Sequence, residues 1–338
     1  LTQKTMQPKQ LKKLLAKAIR NNLKVLVKGE PGIGKSDIIT KAAETAEADL
    51  VIMHPVVSDP TDFKGMPAIV KKKDVNLAEF LPFGDLRKLL NAKSLTVCFM
   101  DDIGQAPHAV QAALMQLIQA REINGHKISD HVVFCGATND ANHMAGVSGI
   151  LEPVKSRFDT IIELTTSEAD WKNWALTEGN MPPVLIAFIG LRPDLLSDFK
   201  ATRDLTNSPT PRTVESVGKW INAGMIDHEV IAGAAGEAFS AELIGFMRTW
   251  KNMPDIDSIA NSPMTATLPS DPATHFAVCT ALTYHVDKDK MDAFHTYLTR
   301  LQPEWQTRTM RDIIVKHPAL AETSAFITWA SANAQALA

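Results

Sequence analysis

The sequence predicts an α/β fold, a parallel β-sheet covered by helices on both faces, followed by a wholly helical half. Three observations carry this. Apolar stretches of strand length alternate with stretches of helical period from residue 7 to residue 164, the pattern of parallel strands joined by crossover helices. A glycine-rich turn joins the first main strand to the helix after it. Beyond Thr165 the strand signal fades and helical periodicity takes over.

Residues 7–20 (QPKQLKKLLAKAIR) place Leu11, Leu14, Leu15 and Ile19 on one helical face with lysines opposite. Leu23–Val27 then reads as a short strand that enters Gly29-Glu30-Pro31-Gly32-Ile33-Gly34-Lys35-Ser36, and Asp37–Ala48 reads as a helix that leaves it. The loop fits G-x-x-x-x-G-K-[ST], the Walker A phosphate-binding pattern. Its glycines let the backbone curl so that successive N–H groups cradle phosphates. Lys35 adds a point charge there, the Ser36 hydroxyl can ligate Mg²⁺, and the positive end of the helix beginning at Asp37 faces the ligand. The alternative, a surface glycine turn that happens to precede Lys-Ser, would arise in roughly one chain per hundred of this length. With strand and helix in place, a nucleoside triphosphate is the predicted ligand.

A second apolar run, Leu50–Met53, precedes Asp59–Met66, which signals a helix that breaks early. Two extended pieces near 68–70 and 77–81 flank Lys71-Lys72-Lys73-Asp74, a hairpin whose lysine run reads as a solvated turn or as a partner contact. Leu95–Met100 is an apolar strand ending in Asp101-Asp102. Beside a phosphate loop this is the Walker B arrangement, in which the first acid serves the Mg²⁺ shell and the second polarises the attacking water. The helix that follows carries Val110, Ala113, Leu114, Leu117 and Ile118 at core spacing. Asn124-Gly125 marks a tight turn, and residues 131–139 form a strand ending in Thr138-Asn139. There Asn139 either orients a water and the γ-phosphate or makes a simple Asx turn. Residues 159–164 complete the strands.

The second half begins with helical signals around Trp171, Trp174 and Ala175, then Val184–Leu191 after Met181-Pro182-Pro183. Ser208-Pro209-Thr210-Pro211-Arg212-Thr213 opens a helix bearing Val214, Val217 and Ile221. Residues 252–273, with four prolines, read as a long loop. The rest is helical to Ala338, its aromatic residues most simply packing. No internal repeat is apparent.

Composition narrows the function. The 338 residues suffice for one large or two ordinary domains. An apolar share of 45%, a charged share of 22% and a formal charge of −3 are those of an ordinary globular protein and argue against a protein that coats nucleic acid. No apolar run is long enough to span a membrane, and Leu1-Thr2-Gln3-Lys4 lacks a signal-peptide pattern. Cys98, Cys135 and Cys279 read as reduced core thiols, so a cytoplasmic location is expected. The ten histidines show no zinc-site spacing.

In order, the loop at 29–36, Asp101-Asp102, Thr138-Asn139, Ser156-Arg157-Phe158 and the segment 208–212 resemble the motifs of AAA+ ATPases, and most those of the MoxR-type branch. The run DDIGQAPHAVQAALMQL (101–117) is similar to that family's Walker B stretch, and GILEPVKSRF (149–158) resembles its L-P-E-A-x-x-D-R-F. Two hairpins, at about 62–81 and 119–130, match the family's insert positions. The resemblance covers about residues 8–225. It implies a P-loop αβα core over residues 1–165 and an α-helical lid with a helical extension over 166–338, with ATP and Mg²⁺ as ligands.

It further implies roles for single residues. Lys35 and Ser36 become phosphate and Mg²⁺ contacts, Asp101 the magnesium-shell acid, Asp102 the water activator and Asn139 the sensor-1 residue. Arg157 becomes an arginine finger reaching a neighbouring subunit, and Arg212 a sensor-2 arginine acting in cis or in trans. A site completed by a neighbour implies a homo-oligomeric ring, six being the family's habit. The implied function is a chaperone or remodelling ATPase with a protein client, often partnered by a von Willebrand factor A domain protein. A nucleic-acid motor of the same branch and a nucleotide-dependent scaffold are the alternatives. One departure stands out: the family usually has Asp-Glu where this chain has Asp101-Asp102. A carboxylate withdrawn by about 1.5 Å predicts slow basal turnover that a partner stimulates.

Overall fold

A computed structural model describes residues 5–72, 74–139, 149–202 and 204–334. The chain divides into two compact units, Leu1–Thr166 and Ser167–Ala338.

The first unit runs β1 (Thr5–Met6), α1 (Pro8–Arg20), β2 (Val25–Gly29), α2 (Lys35–Thr45), β3 (Asp49–Met53), α3 (Pro60–Lys64), β4 (Met66–Lys72), β5 (Val75–Leu81), α4 (Gly84–Leu90) and β6 (Thr96–Met100). It continues with α5 (His108–Ala120), β7 (Glu122–Ile123), β8 (His126–Lys127), β9 (Val132–Asn139), α6 (Glu152–Lys155) and β10 (Thr160–Leu164). Six strands form an all-parallel sheet in the order β1-β10-β2-β9-β6-β3.

Side chains alternate between the two faces of each strand, and both faces are buried. Val25, Val27, Val97, Phe99, Cys135 and Ala137 pack with α1 and α2, whereas Leu26, Cys98, Met100 and Phe134 pack with α5 and Phe63. This double burial is why the strands read as continuous apolar runs. Burial pushes the Cys135 thiol up to about 12 and the Cys98 thiol higher still. Both are therefore protonated core groups.

The observed bounds correct the expected ones around the loop. β2 extends to Gly29, where it still pairs with Asn139, and α2 begins at Lys35 rather than Asp37. Lys35 and Ser36 thus sit in the first helical turn. β1 and α4 had no counterpart in the sequence reading, β1 because two residues give no periodicity.

Two hairpins leave this sheet. β4 and β5 pair antiparallel from Met66↔Leu81 to Lys72↔Val75, preceded by α3 with a reciprocal Asp59/Asp62 cap. Neither strand has a buried face, and Ile69 is 79% exposed. Lys71 pairs with Asp74 at 3.0 Å and Lys72 with Glu79 at 2.6 Å; Lys73 of the lysine run lies outside the described residues. The smaller hairpin, β7–β8, turns at Asn124 and Gly125, both at positive φ, as a tight two-residue turn requires. It braces the larger one: Asn124 Nδ2 donates to the Lys64 carbonyl at 2.8 Å and His126 Nε2 to the Phe80 carbonyl at 2.9 Å.

At the foot of the large hairpin Gly65 has φ +89°, and a Cβ there would lie 2.9 Å from the Leu81 carbonyl oxygen. Gly65→Ala is expected to cost about 1–3 kcal/mol of local strain, relieved by splaying β4 from β5. Limited proteolysis should then cut within 66–81 faster, with nucleotide affinity unchanged.

The second unit is helical, with no strand among its described residues. It comprises α7 (Glu168–Thr177), α8 (Pro183–Leu191), α9 (Pro211–Asn222), α10 (His228–Ala235), α11 (Glu237–Asn252), α12 (Ile256–Asn261), α13 (Pro272–His285), α14 (Met291–Leu298), α15 (Pro303–Lys316) and α16 (Ser324–Ala332). Helix starts follow side-chain chemistry: Ser167, Thr210, Asp255, Asp271 and Thr323 each accept a backbone N–H three positions on. One core gathers Trp171, Phe188, Phe239 and Phe246, another Phe294, Tyr297, Met310 and Trp329. The expected loop at 252–273 is interrupted by α12, because Asp255 caps it and Ile256 and Ile259 are buried. Capping and two apolar residues outweigh the flanking prolines.

Candidate functional site

The sheet order places β9 between β2 and β6, so three strand ends meet at the glycine loop. Gly32 and Gly34 take positive φ, +75° and +89°, a region that glycine enters without cost. Gly29 leaves no room for a side chain: a Cβ would lie 2.6 Å from Ile33 Cδ1 and 2.9 Å from the Leu164 carbonyl oxygen. Gly34 also occupies the N-cap of α2, with no side chain capping the helix. The first amides of α2 are therefore left facing the loop, which suits an anion.

Lys35 is buried to 7% exposure. Its Nζ donates to the carbonyls of Gly29 at 3.1 Å and Glu30 at 2.7 Å, and to Asn139 Oδ1 at 2.7 Å. Asn139 Nδ2 in turn donates to Asp102 Oδ1 at 3.3 Å. The Asn139 amide thus bridges the loop lysine and the second acid, and each end of the amide has a fixed role. Ser36 Oγ donates to Asp101 Oδ2 at 2.8 Å, and Asp101 Oδ1 accepts the Asp102 N–H at 3.1 Å.

The two acids differ in backbone. Asp101 continues from β6, its N–H donating to the Met53 carbonyl at 3.0 Å. Asp102 has φ 53° and ψ 38°, the left-handed region that Asp and Asn tolerate better than longer side chains. That backbone suits the short aspartate at 102 better than a longer acid.

Of the residues expected at the site, Lys35, Ser36, Asp101, Asp102 and Asn139 form one hydrogen-bonded constellation. The loop positions Glu30, Pro31, Gly32 and Gly34 surround it as backbone. Ile33 is different: its side chain is 6% exposed and packs with Leu15 and Val27 in the core, so only its backbone is available. Asp37 points its carboxylate to Lys41 at 3.4 Å, and likewise only its backbone is available.

Arg157 follows α6 and makes no hydrogen bond to this set. Its Nη1 donates to Ser156 Oγ at 3.1 Å, and its Nε is shielded from solvent without a partner among the described residues. The flanking carboxylates are taken by lysines, Glu152 by Lys155 and Asp159 by Lys24. The guanidinium is left without a carboxylate among the described residues. Arg212 lies in the helical unit, exposed in the first turn of α9.

Sequence reasoning missed Gln111. It sits in the apolar face of α5 with 0% exposure, and a polar residue interrupting that face was the signal available. Its Nε2 donates to the carbonyls of Ala106 and Gly149, both at 3.0 Å, and its Oε1 accepts the Leu151 N–H at 2.8 Å.

Ser36 and Asp101 offer two adjacent oxygen donors at the mouth of the loop, which fits Mg²⁺. That ion is commonly bound through one or two protein groups, with phosphate oxygens and waters filling the octahedron.

Residues 24–158 match the family model described as AAA domain (dynein-related subfamily). The match begins at β2 and ends just after Arg157. Over these residues the parallel sheet and the phosphate loop make an AAA+ P-loop fold, and a helical unit follows it. A comparison with curated proteins gives no match. Among solved structures, the chain is similar to a Thermotoga maritima RuvB K64R mutant, with 17% identity over 87% of this chain and 86% of that one and a TM-score of 0.41. It is also similar to Brucella abortus NtrX in complex with ADP, with 11% identity over 95% and 65% and a TM-score of 0.37.

Proposed function

We propose that this chain is a ring-forming, Mg²⁺-dependent ATPase of MoxR type that remodels or activates a protein partner. The observation that carries the catalytic part is the Lys35–Asn139–Asp102 chain of hydrogen bonds beside the Ser36–Asp101 pair, at the uncapped start of α2.

The ATP phosphates would lie against the loop amides, with Lys35 contributing a donor to the β/γ region. An ammonium has three N–H donors, and Lys35 spends three on Gly29, Glu30 and Asn139. Reaching a phosphate therefore requires exchange of at least one. The Asn139 Oδ1 contact is the one most easily exchanged, because it is to a side chain and the other two are to backbone, while Asn139 Nδ2 keeps Asp102. Ser36 and Asp101 would hold Mg²⁺, which when bound neutralises phosphate charge as the terminal bond breaks. Asp102 orients the attacking water and accepts its proton, and Asn139 fixes the carboxylate that does so.

For the partner, the β4–β5 hairpin is informative. Met66, Ile69, Leu77 and Leu81 are exposed on it, while Lys71 and Lys72 are paired within the hairpin. An exposed apolar projection on which Lys71 and Lys72 are already paired suits a protein client better than a phosphate backbone, which rewards unpaired lysines. Residence in the cytoplasm, a hexameric ring and a von Willebrand factor A domain partner belong to the same reading.

Asp102 provides the test, by single-turnover ATP hydrolysis. Asp102→Asn keeps a residue suited to the left-handed backbone, so it should bind ATP as the wild type does and hydrolyse it ~10²-fold or more slowly. Asp102→Glu gains reach but places a longer side chain at φ 53°, at a cost of about 1–2 kcal/mol. It should not exceed wild-type turnover by a large factor. Wild-type turnover in Asp102→Asn would overturn the assignment.

A further inference from the structure

We infer that Gln111 is a positioning residue that presents Arg157 to the neighbouring subunit from a frame anchored beside the acidic pair. The inference rests on the proposed reading of Arg157 as a residue acting in trans.

Gln111 is fully buried, and its side chain bonds to backbone on two separate segments. One segment is the turn that leaves the acids: Gln105 N–H donates to the Asp102 carbonyl at 2.9 Å, and the turn ends at Ala106, whose carbonyl accepts from Gln111. The other is the entry to α6. Gln111 accepts from the Leu151 N–H and donates to the Gly149 carbonyl, gripping the chain at both ends of a three-residue stretch.

From Leu151 the path to Arg157 is short and fixed. The Leu151 carbonyl accepts from Val154 and Lys155, and the Val154 carbonyl from the Arg157 N–H at 3.1 Å. Val154, fully buried, packs in the same core as Val110 and Leu114 of α5. One amide side chain therefore sets where the Arg157 backbone starts. A buried glutamine needs partners to offset desolvation, but a solely structural need would be met by any nearby carbonyl. Here the partners are the two segments that flank the site and carry the arginine.

The test uses mixed subunits. Asp102→Asn has a dead site and a sound arginine, and Arg157→Ala has a sound site and no arginine. Mixing them should restore ATP turnover. Gln111→Met, similar in length but unable to make these bonds, is then added to one partner at a time. On the Asp102→Asn subunit, which donates the arginine, it should lower the restored turnover at least tenfold. On the Arg157→Ala subunit it should change turnover less than twofold, because the acidic turn has its own bonds, Gln105 to Asp102 and Ala106 to Ile103.

Gln111→Glu keeps the acceptor for Leu151 and should show the same asymmetry in smaller degree, which covers a Gln111→Met protein that fails to fold. Equal loss in both arrangements, or loss in neither, overturns the inference. Failure of the parent pair to complement overturns instead the reading of Arg157 in trans.

Discussion

Lys35→Ala is expected to abolish measurable ATP binding. The ammonium is the one positive side chain of the loop, 93% removed from solvent by its complement of 7% exposure, so its charge is poorly screened there. Charge-assisted hydrogen bonds of this kind contribute about 1.5–3 kcal/mol each, and a phosphate would receive at least one along with the direct charge attraction. The substitution also removes the brace from the loop to β9, because Asn139 Oδ1 then loses its donor at 2.7 Å. Together these predict a loss of affinity on the order of 10²-fold or more. Isothermal titration would measure it directly. Thermal unfolding gives an independent check: ATP at a hundred times its wild-type Kd should stabilise the wild type by about 2.7 kcal/mol and Lys35→Ala by no more than about 0.4 kcal/mol. Wild-type affinity in the mutant would remove the loop from the site. Lys35→Arg should fail as well, since a planar fork does not fit between the Gly29 and Glu30 carbonyls as a compact ammonium does.

The same constellation shows what a sequence can convey. The loop was legible because glycine, lysine and serine at fixed spacing between a strand and a helix leave few other structures for the chain to adopt. Asp101 and Asn139 were legible as strand ends, since apolar runs buried on both faces must stop where the sheet meets solvent. What joined them was not legible. The strand order that sets β9 between β2 and β6 is a long-range property, and only it makes Asn139 a bridge from Lys35 to Asp102. The left-handed backbone of Asp102 was hidden for a related reason, because an Asp-Asp pair at a strand end does not say which of the two leaves the strand direction. Ile33 was counted with the loop, but its neighbours in space rather than in sequence draw it into the core. α12 was hidden by the prolines around it, and its cap at Asp255 outweighed them.

Arg157→Ala is expected to keep ATP affinity and to lower turnover on the order of 10³-fold. An arginine that only ties down its own surface should be paired with a nearby acid. Here Lys155 takes Glu152 and Lys24 takes Asp159, and the guanidinium has a neutral partner, Ser156 Oγ at 3.1 Å. On the proposed reading, such a guanidinium finds its partner in the γ-phosphate held by the neighbouring subunit. Because the contact would cross a head-to-tail interface, turnover per subunit should rise with protein concentration as rings assemble, and Arg157→Ala should lack that rise. Arg157→Lys should restore little, since the developing charge on a transferring phosphoryl group is met by a fork of donors rather than a point charge. In an equimolar mixture with Asp102→Asn, random assembly pairs a sound site with a sound arginine at about a quarter of interfaces, which sets the ceiling for recovered activity. Full activity of Arg157→Ala alone, or loss of ATP binding together with turnover, would make Arg157 a structural residue and remove the reason to expect a ring.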